Sequence, residues 1–205
     1  MIGIVIPIIF SHVIKIKTIT VSQWQEIMYY IVSDDQNKFE NLQSKFQDFE
    51  DIIKIKYGNI LDYANGCLVS PANTMGEMSG GLDRQYYNYF GKEIQSTVRN
   101  RILPLPNARL PIGNIISIET KHQLIPILLI APTVDLEKGR DSEPQIAGRV
   151  FFNLLKYHSK SQFSEMDLYI PLLGDGVGGL DSNFVIEEMK KAFDDFVKSF
   201  YFKSN

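Results

Sequence analysis

Two stretches of this chain place a glycine-rich turn between a short apolar run and a helical pattern. The first is CLVSPANTMGEMSGGLD at residues 67–83, and the second is PLLGDGVGGLD at residues 171–181. A buried strand that ends in a glycine turn and continues into a helix is the building unit of α/β proteins. Glycine lets backbone N–H groups approach a ligand, and a helix start carries partial positive charge. Both turns are therefore suited to hold a phosphorylated ligand.

Apolar periodicity predicts strands and helices that alternate along the chain. Helices are indicated by apolar side chains three and four residues apart, and strands by alternation or by unbroken apolar runs. The predicted strands are 1–10, 13–21, 28–33, 52–57, a short run from Cys67, 114–119, 124–131 and 167–173, and the predicted helices are 36–49, 82–98 with a break near Gly91, one from Pro144, and one from Asp181 or Ser182. This order predicts a three-layer α/β/α sandwich with a mixed, largely parallel central sheet.

A chain of 205 residues is long enough for one well-buried core. No repeat, low-complexity tract or change of composition marks a boundary, so we expect a single domain over residues 1–205. Residues 1–55 would supply strands and a helix that complete the sheet or cover its edge. Residues 56–200 would form the ligand-binding core.

The charge balance argues against a nucleic-acid partner. The net charge is −3 at pH 7, and the chain therefore lacks the basic field that holds a duplex backbone. The apolar run MIGIVIPIIF at the start is too short to span a bilayer and has no basic residues before it, so we interpret it as a strand rather than a membrane anchor.

The single cysteine, Cys67, has no partner for an internal disulfide, which fits a reducing, cytoplasmic compartment. Because Cys67 starts a strand, we expect a small buried apolar residue rather than a nucleophile. The three histidines, His12, His122 and His158, are scattered without metal-ligand spacing. We predict no metal site and no cofactor.

Four short motifs follow predicted strands or open predicted helices. They are Gly58-Asn59-Ile60, Ser70-Pro71-Ala72-Asn73, Gly80-Gly81-Leu82-Asp83 and the loop from Gly174 to Gly179. In this order they resemble the motifs of macrodomains, the ADP-ribose-binding fold family. The resemblance runs from about Tyr57 to the C-terminus and rests on the order of four individually weak motifs.

The resemblance implies a role for each motif. Asn73 would fix the terminal ribose of ADP-ribose, and Asp83 would position a water for attack at the anomeric carbon, which makes these two the predicted catalytic residues. Asp175 lies where its carboxylate would repel a diphosphate, so we expect its side chain to turn away and its N–H to serve the ligand. The predicted ligand-binding residues are Asn59, Ile60, Ala72, Gly80, Gly81, Gly174, Asp175, Gly176, Val177 and Gly178.

Two positions depart from the family pattern. Asn59 stands where many macrodomains have an acidic residue that contacts the adenine amino group, and an amide oxygen accepts that hydrogen bond more weakly. Gly178 stands where an aromatic side chain commonly packs beside the terminal ribose. The insert TMGEM also differs from the usual glycine turn, and these differences indicate a divergent branch.

The motifs leave several functions open. The leading hypothesis is an enzyme that removes ADP-ribose from a modified target or processes ADP-ribose 1″-phosphate, and the alternative is a non-catalytic module that binds ADP-ribose or a related nucleotide. Asn73 could instead be a turn residue only, and Asp83 could be a helix N-terminal charge only. A Rossmann or P-loop protein is disfavoured because neither glycine stretch has the required spacing or lysine. A structural protein without a working site is a further alternative.

Overall fold

The computed structural model describes residues 27–137, 145–176 and 179–201. The strands predicted at 1–10 and 13–21, the start of the helix at Pro144, and the site residues Val177 and Gly178 lie outside the described residues.

Six strands and six helices alternate through the described residues. The strands are β1 Tyr29–Ser33, β2 Ile53–Tyr57, β3 Cys67–Ser70, β4 Ile116–Glu119, β5 Ile127–Ile130 and β6 Leu168–Ile170. The helices are α1 Gln36–Phe46, α2 Ile60–Tyr63, α3 Gly81–Phe90, α4 Glu93–Ile102, α5 Gln145–His158 and α6 Ser182–Tyr201, with short 3-10 turns at Gln47–Phe49 and Pro106–Ala108. None of the described helices combines the length and apolarity that a transmembrane span requires.

The strands form one sheet in the order β2-β1-β6-β3-β5-β4. Neighbouring strands are parallel except for β4, which is antiparallel to β5 at the edge of the sheet. The predicted mixed, largely parallel sheet is therefore confirmed. Because β6 lies between β1 and β3, the last strand in sequence occupies the middle of the sheet.

Both faces of the sheet are buried. Along β3, the side chains of Cys67 and Val69 belong to one apolar cluster, whereas Leu68 belongs to a second cluster on the opposite face. Helices α1, α5 and α6 contribute to the first cluster, and α2, α3 and α4 contribute to the second. Burial on both faces explains the unbroken apolar sequences of the central strands. The three-layer sandwich is thus confirmed, and Cys67 is buried as expected.

Local signals set the ends of several elements. The carboxylate of Asp35 accepts a hydrogen bond from the backbone N–H of Lys38 at 3.0 Å, so Asp35 caps α1. The predicted break near Gly91 separates α3 from α4. The strand predicted at 124–131 is shorter and begins at Ile127, because Pro126 has no N–H to donate to the ladder.

The parallel arrangement brings five strand ends to one edge. Strands β1, β2, β3, β5 and β6 all have their carboxyl ends at this edge, which we call the carboxyl edge. Ligands of open α/β sheets bind outside the carboxyl ends of the strands. The motifs that follow β2, β3 and β6 therefore share one side of the molecule.

Candidate ligand-binding site

The two glycine-rich turns leave the carboxyl edge from neighbouring strands. β3 pairs directly with β6, with Cys67 opposite Leu168 and Leu68 opposite Tyr169. Residues 71–83 and residues 171–179 therefore start side by side, although about a hundred residues separate them in the chain. Sequence reasoning predicted both turns, and the strand order makes them neighbours.

The segment after β3 continues alongside the chain that follows β5. Its backbone is held by hydrogen bonds from Ala131 N–H to the Ser70 carbonyl at 2.9 Å, from Thr133 N–H to the Ala72 carbonyl at 2.9 Å, and from Thr74 N–H to the Val134 carbonyl at 3.0 Å. Ala72 is buried within this extension. The backbone that leads to the first turn is thus fixed by the sheet rather than left as a free loop.

The side chain of Asn73 makes three hydrogen bonds within its own turn. Its amide oxygen accepts hydrogen bonds from the N–H groups of Met75 at 3.0 Å and Glu77 at 3.2 Å, and its amide nitrogen donates to the Glu77 carbonyl at 2.7 Å. Only 7% of Asn73 is exposed. In this arrangement Asn73 organises the turn, which is the role of the alternative in which Asn73 is a turn residue.

The turn after Asn73 packs closely against α4. Gly76 has a φ of +69°, and a Cβ placed there would lie 2.7 Å from Cδ1 of Ile102 and 2.8 Å from Cγ1 of Val98. Any side chain would therefore clash as well as strain the backbone. Glycine is required here by packing, a role that the sequence analysis did not assign.

The start of α3 is an open helix N-terminus. Gly80 and Gly81 are exposed, and Gly80 makes no side-chain capping hydrogen bond. The first N–H groups of a helix have no partner within the helix, and they attract anions together with the helix dipole. This helix start is open to a ligand, and the contact of Gly80 and Gly81 with the terminal ribose stays a prediction.

Asp83 lies in the first turn of α3 but points into the protein. Its carboxylate accepts a hydrogen bond from the Ser70 hydroxyl at 2.5 Å, and only 7% of the residue is exposed. Burial raises the pKa of Asp83 to about 6, and the Ser70 hydrogen bond partly opposes this shift. Beside it, the Tyr86 hydroxyl donates to the Val69 carbonyl at 3.1 Å. Asp83 is thus a buried carboxyl group whose pKa lies well above its ordinary value of 3.8.

The second turn has one glycine at positive φ with close neighbours and one glycine with open space beside it. Gly174 has a φ of +92°, and a Cβ there would lie 2.9 Å from Cδ1 of Leu180. At Gly176, no atom of the described residues other than its chain neighbours lies within 4 Å of the position that a Cβ would take. The turn is closed by hydrogen bonds from Leu180 N–H to the Gly174 carbonyl at 3.2 Å and from Gly179 N–H to the Gly176 carbonyl at 3.0 Å. Space for a ligand therefore lies next to Gly176.

The carboxylate of Asp175 is bound by residues of two helices. The ammonium group of Lys38 in α1 lies 2.7 Å from Oδ2 of Asp175, and the hydroxyl of Ser182 at the start of α6 donates to the same oxygen at 3.3 Å. These contacts are consistent with the expectation that the Asp175 side chain turns away and leaves its backbone to the ligand.

Asn59 and Ile60 follow β2, two strands away from the second turn. The amide oxygen of the exposed Asn59 accepts a hydrogen bond from Leu61 N–H at 3.0 Å and so caps α2. The side chain of Ile60 is buried in the core. The Gly58 N–H donates to the Ser33 carbonyl at 2.9 Å, which ties this motif to the end of β1.

Arg109 is a site-forming residue that the sequence analysis missed. Its guanidinium donates to the hydroxyl of Thr74 and to the carboxylate of Asp135, both at 3.1 Å, and it also pairs with Glu137. It thereby joins the loops that follow β3 and β5. Arg109 lies in a proline-rich stretch without periodicity, so no local pattern indicated this role.

Two open grooves lie away from the glycine turns. One, of about 620 Å³, runs between the β4 edge and the end of α5, and includes Ser117, Lys156 and Lys160. The other, of about 600 Å³, lies at the amino ends of the central strands, and includes Asn65, Glu165 and Asp167. Among the described residues, no group of three or more His, Cys, Asp or Glu side chains could hold a metal ion.

No protein-family model matches the chain, and no curated protein matches its sequence significantly. Similarity appears when solved structures are compared. The macrodomain of Mycobacterium tuberculosis DarG aligns with a TM-score of 0.56 at 20% identity, over 67% of this chain and 87% of that one. The Oceanobacillus iheyensis macrodomain with ADP aligns with a TM-score of 0.53 at 17% identity, over 65% of this chain and 72% of that one.

A mutant of the Oceanobacillus iheyensis macrodomain with ADPR aligns with a TM-score of 0.51 at 19% identity, over 65% of this chain and 74% of that one. At these identities the similarity concerns the fold. It agrees with the mixed, mostly parallel sheet covered by helices on both faces, and the resemblance noted in the sequence is confirmed as a likeness of fold. The chain has the macrodomain fold and diverges strongly in sequence from the macrodomains that it resembles.

Proposed function

We propose that this protein binds ADP-ribose, or a derivative that keeps its diphosphate, across the carboxyl edge of the sheet. The observation that carries this proposal is the placement of the glycine turns after β3 and β6 on neighbouring strands of a macrodomain fold. Two of the similar structures contain ADP or ADPR, which supports this class of ligand.

The strand order suggests how an elongated ligand would lie. Asn59 follows β2 at one end, the Gly174–Gly176 turn follows β6 in the middle, and Asn73 follows β3 beyond it. An adenine near Asn59, a diphosphate on the Gly174–Gly176 turn and a terminal ribose near the start of α3 would follow this order. Backbone N–H groups would then hold the diphosphate, so an acidic protein needs no basic patch for it.

Calorimetric titration with ADP-ribose tests the proposal. We expect saturable binding to the full chain, and weaker binding of AMP, because AMP lacks the second phosphate and the terminal ribose. Absence of binding at millimolar ADP-ribose would refute the proposal. Equal affinity for AMP would show that the Gly174–Gly176 turn does not hold a diphosphate.

Hydrolysis is a second candidate function, and one observation favours it. The pKa of Asp83 is raised to about 6, which suits a carboxylate that accepts a proton from an attacking water. In such a reaction the water oxygen bonds to the anomeric carbon, the bond from that carbon to the carrier breaks, and the carrier leaves with a proton. Mono-ADP-ribosyl hydrolysis and ADP-ribose 1″-phosphate processing both fit this scheme.

The side-chain contacts favour binding over hydrolysis. Asp83 is held by Ser70, and Asn73 is held by the backbone of Met75 and Glu77. Both predicted catalytic side chains would have to exchange these partners for water or ribose. A non-catalytic module needs no such exchange, and its turns and helix start are already in place.

Incubation with a mono-ADP-ribosylated protein, and in parallel with ADP-ribose 1″-phosphate, separates the two functions. Release of ADP-ribose or phosphate by the native protein, and a loss of release in Asn73→Ala and Asp83→Ala, would support hydrolysis. Binding without release above the level of these variants would leave the non-catalytic module. A cytoplasmic location and the lack of duplex nucleic-acid binding stay predictions, which fractionation and gel-shift measurements would test.

A further inference from the structure

The Gly174–Gly176 turn contains a carboxylate where a bound diphosphate would be repelled. Asp175 sits between the two glycines, and its side chain is 12% exposed. A negative charge within a few ångström of an anion weakens binding even at a protein surface. An anion-binding turn with an aspartate at its centre therefore needs a compensating charge.

Lys38 provides this charge from a distant part of the chain. Its Nζ atom lies 2.7 Å from Oδ2 of Asp175, across a separation of 137 residues, and its side chain is 32% exposed. Lys38 belongs to none of the four motifs. The contact distance is that of a direct charge-assisted hydrogen bond.

The position of Lys38 on α1 aims it at this turn. Lys38, Asn41 and Lys45 share one face of α1, since they are three and seven residues apart. Asn41 contacts Asn183 at 2.8 Å and Lys45 contacts Glu187 at 2.6 Å, and both of these partners lie in α6 itself. Of these three contacts, the Lys38 contact alone reaches the turn that precedes α6.

The surroundings of Lys38 make its charge important. Asp34 and Asp35 lie near it in addition to Asp175, and the hydrogen bond to Asp175 is the largest influence that raises the pKa of Lys38. Lys38 is therefore protonated at neutral pH. Without Lys38, the Asp175 carboxylate beside the turn would lose its ion-pair partner.

We propose that Lys38 is a positioning residue that makes the Gly174–Gly176 turn competent for a polyanionic ligand, by neutralising Asp175 and holding its carboxylate toward α1. This inference rests on the proposed function, because it concerns the same site and a diphosphate ligand. It assigns part of the binding specificity to a residue outside the glycine turns.

The test is calorimetric titration of ADP-ribose into the native protein, Lys38→Gln and the matched control Lys45→Gln. Each substitution removes the lysine of one ion pair on α1, Lys38 with Asp175 in the first variant and Lys45 with Glu187 in the control. Lys45 lies seven residues, or about 10 Å, further along the helix, where salt screens its charge from the turn.

We expect Lys38→Gln to weaken binding by about tenfold, the effect of one uncompensated charge near a bound anion. Lys45→Gln should stay within about twofold of the native affinity.

Substitution of Asp175 separates a charge effect from a merely structural one. If Lys38 acts by neutralising Asp175, Asp175→Asn binds at least as tightly as the native protein, and Lys38→Gln combined with Asp175→Asn regains the affinity lost in Lys38→Gln. Lys38→Arg keeps the charge and should retain native affinity. Thermal unfolding of every variant checks that these substitutions leave the fold intact.

Three outcomes overturn the inference. If the native protein binds but Lys38→Gln and Lys45→Gln are equally affected, Lys38 has no special role. If Asp175→Asn loses affinity like Lys38→Gln and the double variant is not rescued, the ion pair only supports the turn. If the native protein does not bind ADP-ribose, the proposed function and this inference fail together.

Discussion

The hydroxyl of Ser70 donates a 2.5 Å hydrogen bond to the carboxyl group of Asp83, across a separation of 13 residues. Ser70 is the last residue of β3, and Asp83 lies in the first turn of α3. The bond fixes the helix start relative to the strand, with the Asn73 turn between them. It also places an ionisable group inside the core beside the proposed site.

The first prediction concerns the effect of Asp83 on stability. The folded pKa is about 6 and the ordinary value is 3.8, so the folded state holds the proton more tightly. The Asp83 contribution to the free energy of unfolding therefore falls by about 2 kcal/mol as pH rises from 4 to 6. Asp83→Asn has no such titration. The free energy of unfolding of Asp83→Asn relative to that of the native protein should therefore increase as pH rises from 4 to 6.

Urea unfolding at several pH values between 4 and 7 measures this effect. Ser70→Ala is the companion variant, because loss of the hydrogen bond that opposes the shift should move the pH window upward. Parallel stability curves for Asp83→Asn and the native protein would contradict the prediction.

The second prediction concerns His158, which ends α5 in the core. The residue has 0% exposure, and its two ring nitrogens have no hydrogen-bond partner among the described residues. Burial lowers the pKa of His158 to about 4, although the nearby backbone of Met166 and Phe163 partly opposes the shift. The contribution of the neutral His158 ring to the free energy of unfolding is fully present above the unfolded pKa of 6.5. About 3 kcal/mol of it is lost as pH falls toward 4, because the unfolded state then takes up a proton that the folded state does not.

His158→Phe keeps a ring against Tyr29, whose centroid lies 5.9 Å away, and removes the titration. We expect this variant to resist acid better than the native protein, while His122→Gln, which leaves His158 in place, does not. As pH falls from 6 to 4, the titration of Asp83 raises the free energy of unfolding and the titration of His158 lowers it. The two effects partly cancel in the native protein, so each is measured in the variant that removes the other group. An unchanged acid transition in His158→Phe would be inconsistent with a buried neutral histidine.

The third prediction compares two glycines of the second turn. Gly174→Ala should destabilise the protein by about 1–3 kcal/mol, because its φ is positive and the new Cβ would meet Leu180. Gly176→Val should fold normally, since its Cβ would meet no atom of the described residues outside its chain neighbours within 4 Å, but its side chain would occupy the proposed diphosphate space. Thermal unfolding and ADP-ribose titration together distinguish the two effects. Native affinity in Gly176→Val would place the ligand elsewhere.

The fourth prediction concerns the turn that Asn73 organises. Asn73→Ala removes three hydrogen bonds with the backbone of Met75 and Glu77, and we expect a loss of about 1–3 kcal/mol. Hydrogen exchange should become faster at the Met75 and Glu77 amides. Asn59→Ala is the control, because it removes one bond at α2 and should leave those two amides unchanged. Slow exchange in Asn73→Ala would show that the turn holds without this side chain.

Much of the fold could be predicted because its signals are local. The β-branched and apolar runs of β2 and β5 and the break at Gly91 each depend on residues close in sequence. The strand limits were less accurate. Pro126 delays the start of β5, since the ladder needs an N–H donor that proline lacks.

The site was predictable in its glycine turns but not in its side-chain contacts. Positions such as Gly174 stand out because a glycine turn between a strand and a helix is a local pattern. Lys38 and Arg109 carry no such pattern, and their partners, Asp175 and Asp135, lie far along the chain. Long-range ion pairs depend on which elements pack together, which periodicity alone does not specify.

By itself, the sequence determined the alternation of strands and helices, the two glycine turns and the resemblance from Tyr57 onward, because backbone conformation and amphipathic periodicity are local properties. Only the tertiary structure decided that β6 lies between β1 and β3, that Asp83 is buried against Ser70, and that Lys38 reaches Asp175. Burial and electrostatic pairing arise when distant segments exclude water from one another, so they exist only in the assembled fold.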